Sequence, residues 1–190
     1  MTGSNMRTTP VYVVRPIATD AARAEASAFA EDYARALAEQ GINVSARPIT
    51  SSPGGQALGV YEDDVLVGAL VMYPHADMRH WGVDGREPGL FVSLDHTADG
   101  QVGQAITLWL ADYAASADGT KWVWCEVPTA AGDAHHRLAH LGDFGWECLR
   151  PGCGRDSSPV ARLRLRARSL PGIAAVISAP YLSAGRAVSA

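Results

Sequence analysis

Apolar positions in this chain follow two periods, and the periods trade places along it. Val11–Ile17 (VYVVRPI) is a β-rich run closed by Pro16. Thr19 or Asp20 can cap a helix there, because a side-chain oxygen satisfies an otherwise unpaired N–H. Ala26, Phe29, Ala30, Tyr33 and Leu37 then recur at helical spacing, which predicts a helix to about Gln40, stopped by Gly41. Asn43–Thr50 reads as a short extended piece and Ser51–Gly55 (SSPGG) as a turn. Gln56–Glu62 and Val65–Tyr73 alternate and are rich in β-branched residues, so they predict a hairpin about Asp63 and Asp64.

Pro74–Gly89 (PHADMRHWGVDGREPG) breaks the pattern as a polar insertion, and connections of that length in compact domains are disproportionately functional. Leu90–Ala114 follows as a strand, a polar turn holding Gly100 and Gly103, and an amphipathic helix. Lys121–Val127 (KWVWCEV) is the next strand, with Val123, Cys125 and Val127 on one face and Trp122, Trp124 and Glu126 on the other. Ala131–Leu141 is a short helix, Trp146–Leu149 begins a strand, and Val160–Arg168 (VARLRLRAR) alternates strictly as another. The small-residue tail, 171–190, fits either a docked helix or a mobile segment. This order predicts an α+β fold with one mixed sheet and helices on its faces.

At 190 residues the chain holds one domain, expected over 11–170 between a flexible start at 1–10 and the tail. A hydrophobic share of 47% excludes a disordered chain, and a net charge of -4 excludes a surface built wholly for nucleic acid, though not a local basic face. Cys125, Cys148 and Cys153 make no C-x-x-C pair and the first residues lack an apolar leader core, so the expected setting is the cytoplasm, with reduced thiols. No apolar run reaches membrane-spanning length; Ile173–Leu182 is short and broken by Pro180.

Five segments together resemble the GNAT N-acetyltransferase superfamily: VVRPIATDA, GVYEDDVLVGALVMY, LFVSLDHTADGQVGQAITLWLADYA, KWVWCEV and AHLGDFGWE. The resemblance spans Val11 to Arg168 and lies in their order more than in any one of them. It implies a three-layer α/β/α fold with a mixed, mostly antiparallel sheet. It also implies a V-shaped cleft between two splayed parallel strands, here Leu90–Leu94 and Lys121–Val127. An acyl-CoA or phosphopantetheine arm would lie in that cleft, along the backbone at Leu94. Its pyrophosphate would rest on the turn and helix start at Val102, Gly103, Gln104 and Ala105, where backbone N–H groups favour anions. Gly100 stands where the family's turn carries Arg or Gln, beside Asp99, whose charge opposes a pyrophosphate; the turn is degenerate in this respect. Leu141 stands where the family's late helix often carries a tyrosine that protonates the thiolate.

For chemistry, Asp95 and His96 end the central strand, where either can take a proton from an amine or can simply cap the turn. Glu126 sits on the opposite wall; covered by a helix it would be a base, and otherwise it is an edge residue between two tryptophans. His135, His136 and His140 lie on a helix at metal-like spacing, with no further ligands to complete a site, so no metal is expected. His140 is the nearest substitute for the missing proton donor. His75, His80 and Trp81 in the insertion suit an acceptor pocket for a small polar amine, or a surface loop anchored by its tryptophan. Arg162, Arg164, Arg166 and Arg168 alternate on one face: a solvated stripe, or a docking face for an acyl carrier protein or a tRNA.

The reading these observations support is an N-acyltransferase moving an acyl group from a pantetheine thioester to an amine, with a general base at His96, Asp95 or Glu126. A GNAT-like transferase fed by aminoacyl-tRNA, or a binding module without catalysis, are the alternatives.

Overall fold

The computed structural model describes residues 11–41, 49, 54–74, 76–82, 87, 89–96, 100–117, 119–130, 132, 134–149, 151–154 and 158–182. The expected pieces at Asn43–Thr50 and Ser51–Gly55 lie largely outside them, as do His75 and Asp99.

Strand β1 (Tyr12–Pro16) leads into α1 (Asp20–Glu39), capped by the Thr19 hydroxyl, which accepts the Ala22 N–H. Strands β2 (Gln56–Glu62) and β3 (Val65–Tyr73) form the expected hairpin. Asp63 and Asp64 turn it with positive φ, 48° and 64°, the geometry that matches the twist of a two-residue hairpin. Strand β4 (Gly89–His96), α2 (Gln101–Ser116), β5 (Trp122–Pro128) and α3 (Ala134–Asp143) follow. The chain then makes the two-residue strands β6 (Glu147–Cys148) and β7 (Gly152–Cys153), and returns through β8 (Pro159–Arg166).

All join one sheet in the order β6-β8-β5-β4-β3-β2-β1, with β7 also on β8. Neighbours are antiparallel except β4 with β5. The described part of the tail, to Leu182, docks: a 3-10 turn at Ile173–Ala175 precedes β9 (Ile177–Ser178), which pairs parallel with β1 on the outer edge. β8 stops at Arg166, so Arg168 lies beyond the strand that alternation extended to it.

Strand parity sorts the core. Leu90, Val92 and Leu94 of β4, Val123, Cys125 and Val127 of β5, and Leu163 and Leu165 of β8 face the helix pair α2 and α3. On the other face, α1 covers the first three strands through Ala26 and Ala30 against Ala57, Ala69 and Val71. The rest of that face is covered by the insertion. A 3-10 turn at Arg79–Trp81 carries Met78 and Trp81 down onto Phe91 and Trp124. The segment read as polar thus supplies two buried anchors, and a turn rather than a helix lies over the Glu126 side of β5.

Candidate active site

Strands β4 and β5 pair in parallel only from Gly89 with Trp122 to Val92 with Cys125. Both continue, β4 to His96 and β5 to Pro128, without further pairing between them. The pair therefore opens at its C-terminal end. β4 also carries a bulge there: Val71 faces Ser93 and Ala69 faces His96, so Leu94 and Asp95 share the place opposite Leu70. A bulge re-aims backbone groups, and here it does so at the mouth of the gap.

Two helices border this opening. α2 starts at Gly100, whose φ of 75° and ψ of −133° suit glycine, and no side chain caps it. Its first intrahelical bond runs from Gln104 N–H to Gly100 C=O, so the N–H groups of Gln101, Val102 and Gly103 precede the ladder. Gly103 and Ala105 are buried. From α3, the Arg137 guanidinium reaches the Leu94 carbonyl at 3.4 Å. His140 instead places its ring 4.4 Å from that of His136 and 6.3 Å from that of Phe144. His135 is exposed on the same helix. Among the described residues no group of three metal-ligating side chains occurs.

Glu126 is the first β5 residue past the last paired one, and its side chain is only 13% exposed. One carboxylate oxygen, Oε1, accepts from the Trp81 indole Nε1–H at 2.6 Å and contacts His80 Nε2 at 2.8 Å. With Glu126 ionised, that contact requires a proton on Nε2. Among the described residues Oε2 has no partner. The Trp81 ring stands edge-on to Trp124 at 5.0 Å, and both are buried. The fold thus unites three residues that the sequence offered separately: Glu126 from a strand, His80 and Trp81 from the insertion. Asp95 and His96 end β4 across the gap by their backbone; their side chains lie outside the description.

The arginine stripe is not one open face. Arg162 donates to the His80 carbonyl at 2.7 Å and lies over the Trp81 ring at 5.3 Å. Arg164 pairs with Glu147 at 2.7 Å and lies over Trp122 at 4.1 Å. Arg166 and Arg168 are exposed. In register Arg162 faces Glu126, whereas Arg166 faces Trp122, so the stripe runs from the open end of the strand pair toward its closed end. Sequence reasoning missed Arg162 and Arg137 as members of the site. It also missed Met78, although Met78 and Trp81 stand three apart, the repeat of a 3-10 turn.

No protein-family model and no curated protein matches the chain. Solved structures do. BjaI, a CoA-dependent acyl-homoserine lactone synthase seen with SAM and isopentyl-CoA, superposes with a TM-score of 0.53 at 12% identity, covering 90% of this chain and 93% of that one. The N-acetyltransferase PseH of Campylobacter jejuni gives 0.51 at 10%, covering 84% and 100%. FeeM, an N-acyl amino acid synthase from uncultured soil microbes, gives 0.50 at 15%, covering 84% and 92%. A protein of the GNAT family from Desulfovibrio desulfuricans also superposes, at 0.50 with 12% identity, covering 83% and 99%. Likeness at such identities speaks for architecture, and the architecture is the GNAT acetyltransferase fold, with its parallel strand pair at the centre of a mostly antiparallel sheet.

Proposed function

We propose that this GNAT-fold chain is an N-acyltransferase that moves an acyl group from a pantetheine thioester to the amine of a small polar molecule. The observation that carries the reading is the opening of β4 and β5 beyond Val92 and Cys125, with Glu126 as the first residue past the opening. An extended donor arm would lie along β4 near Leu94, beyond its last pairing with β5. Its phosphates would meet the uncapped N–H groups of Gln101 to Gly103, with Gly103 and Ala105 letting the group approach. Bound so, acyl-CoA or a phosphopantetheine thioester supplies an already activated carbonyl.

The chain's own residues would then hold and deprotonate the acceptor. Glu126 takes the proton on Oε2, since Oε1 is committed to Trp81 and His80. The amine nitrogen forms its bond to the acyl carbon, the carbon–sulfur bond breaks, and the sulfur departs as a thiolate on the α2 and α3 side, where it takes up a proton from solvent while Glu126 returns its own. A bulge N–H between Leu94 and His96 would stabilise the oxyanion. The enclosed Trp81 and His80 wall suits a compact acceptor with polar groups. Similarity to FeeM and PseH supports an amine as that acceptor, and Asp95 and His96 are the alternative bases on the facing wall.

Acetyl-CoA is the first probe. A donor that binds the folded state raises the melting temperature by mass action. Thiol release with a panel of small amines would then rank acceptors. Glu126→Gln should keep that thermal shift while lowering kcat by ~10²–10⁴-fold, the usual range for a lost general base. If acetyl-CoA gives neither a thermal shift nor thiol release, free CoA is removed as the donor, and the proposal fails if a carrier-protein thioester releases no thiol either; turnover unchanged in Glu126→Gln removes Glu126 as the base.

A further inference from the structure

Glu126 and Arg162 stand directly opposite one another across β5 and β8. Opposite charges so placed on one sheet face ordinarily pair. These do not. Through Nη2, the Arg162 guanidinium instead donates to the His80 carbonyl at 2.7 Å and the Cys153 carbonyl at 3.1 Å, while lying over the Trp81 ring. The Glu126 carboxylate is left to the neutral donor of Trp81 and to His80.

We propose that Arg162 is a positioning residue: it fastens the Arg79–Trp81 turn to the sheet so that Trp81 and His80 converge on one oxygen of Glu126. The turn is too short to hold itself. Its backbone bonds run from Trp81 N–H to Met78 C=O and from Gly82 N–H to Arg79 C=O, a single 3-10 turn, and its side-chain brace, Asp77 on the Arg79 N–H and guanidinium, is local and exposed. Arg162 ties that turn to the neighbouring β7 through one guanidinium, holding the His80 carbonyl from 82 residues earlier in the chain. The berth for this guanidinium is built by Gly152. A Cβ there would come 2.4 Å from Arg162 Cζ and 2.5 Å from its Nε, a distance no side chain tolerates. Arg162 Nε is buried and unpartnered among the described residues, a cost the fold accepts to hold the group here.

The kinetic part of this role rests on the acyltransferase reading; the structural part does not. Indole N–H resonances of the ¹⁵N-labelled protein provide the test. The Trp81 N–H bonded to a carboxylate should be displaced downfield and slow to exchange. Trp146 Nε1–H, which donates to the Thr107 hydroxyl on the α2 face, is the internal control. In Arg162→Met, and in Gly152→Ala, which keeps every charge, the Trp81 resonance should move toward the free indole position while Trp146 stays. In the same variants kcat should fall on the order of 10²-fold with KM little changed, as for a displaced catalytic group. Arg162→Lys, which can reach the two carbonyls but cannot stack as a plane, should restore part of both.

A Trp81 resonance unmoved in both variants overturns the inference, whatever the activity. So does movement of Trp81 and Trp146 together, the mark of a general loss of packing. If the Trp81 resonance responds as expected but wild-type protein releases no thiol from any thioester, the positioning role holds and the acyltransferase reading fails.

Discussion

A carboxylate becomes a useful base by what surrounds it, and Glu126 gets its surroundings from two tryptophans, a histidine and a turn. Alternation in KWVWCEV placed Trp122, Trp124 and Glu126 on one face, as observed. What covered that face was not legible, because the cover comes from a run dominated by His, Asp, Arg and Gly in which, among the described residues, Met78 and Trp81 are the buried anchors. Arg162 was legible as a member of a stripe but not as a strut: strand parity says which face a side chain takes and nothing about what meets it there. Lower on the same face, the Trp122 indole donates to Glu87, beside Lys121 and Arg164. That hydrogen bond, aided by the two cations against some desolvation, holds the Glu87 carboxyl below the ordinary glutamate value of 4.5. A depressed folded value gives stability that is complete above the unfolded value and is lost as pH falls through the folded one. Glu87→Gln should therefore melt below wild type at neutral pH, and the gap should close on acidification below about 4.5. A gap constant across that range would show that the charge on Glu87 contributes nothing.

At the scale of elements, long periodic segments were readable, and of the two-residue strands β6 was anticipated at Trp146–Leu149 while β7 and β9 were not. The spacing of Ala26, Ala30 and Leu37 marks the buried side of α1, and all three are buried. β7 and β9 have two residues each, too few for any period to register, and they exist because β8 and β1 offer edges. The β4 and β5 pairing has a similar tertiary condition at its closed end. Gly89 faces Trp124 so closely that a Cβ would lie 1.8 Å from the indole Nε1 and 2.9 Å from the Trp122 carbonyl. No rotamer change of one residue relieves both contacts. Gly89→Ala should destabilise by about 1–3 kcal/mol, in the range of overpacked cores, measured as a lower midpoint in urea. A midpoint equal to wild type would show that the closed end gives way at no cost.

Over the whole molecule, the resemblance expected from segment order and the sheet order found in space agree, because each segment brings its own connection rule. The hairpin forces antiparallel neighbours, and the strand–helix–strand unit forces a parallel pair joined by α2. The site was less visible, since Glu126, His80 and Arg162 meet only once β8 lies beside β5 and the insertion folds back over both.

The short reach of the β4 and β5 ladder also makes a seam. On one side lies the meander β1 to β4, on the other β5 with β8 and its edge strands, and four residue pairs join them across the sheet. α2 lies across both halves on one face, packing on β3 and on β5, and the Arg79–Trp81 turn spans Phe91 and Trp124 on the other. The halves should then loosen as separate units, with amides on the seam exchanging before those of the β2 and β3 hairpin. An extended guest lodged in the gap would act as a stitch. Hydrogen exchange with and without acetyl-CoA should show slowing that spreads from Leu94 into both halves; slowing confined to the contact atoms would mean that the halves already move as one.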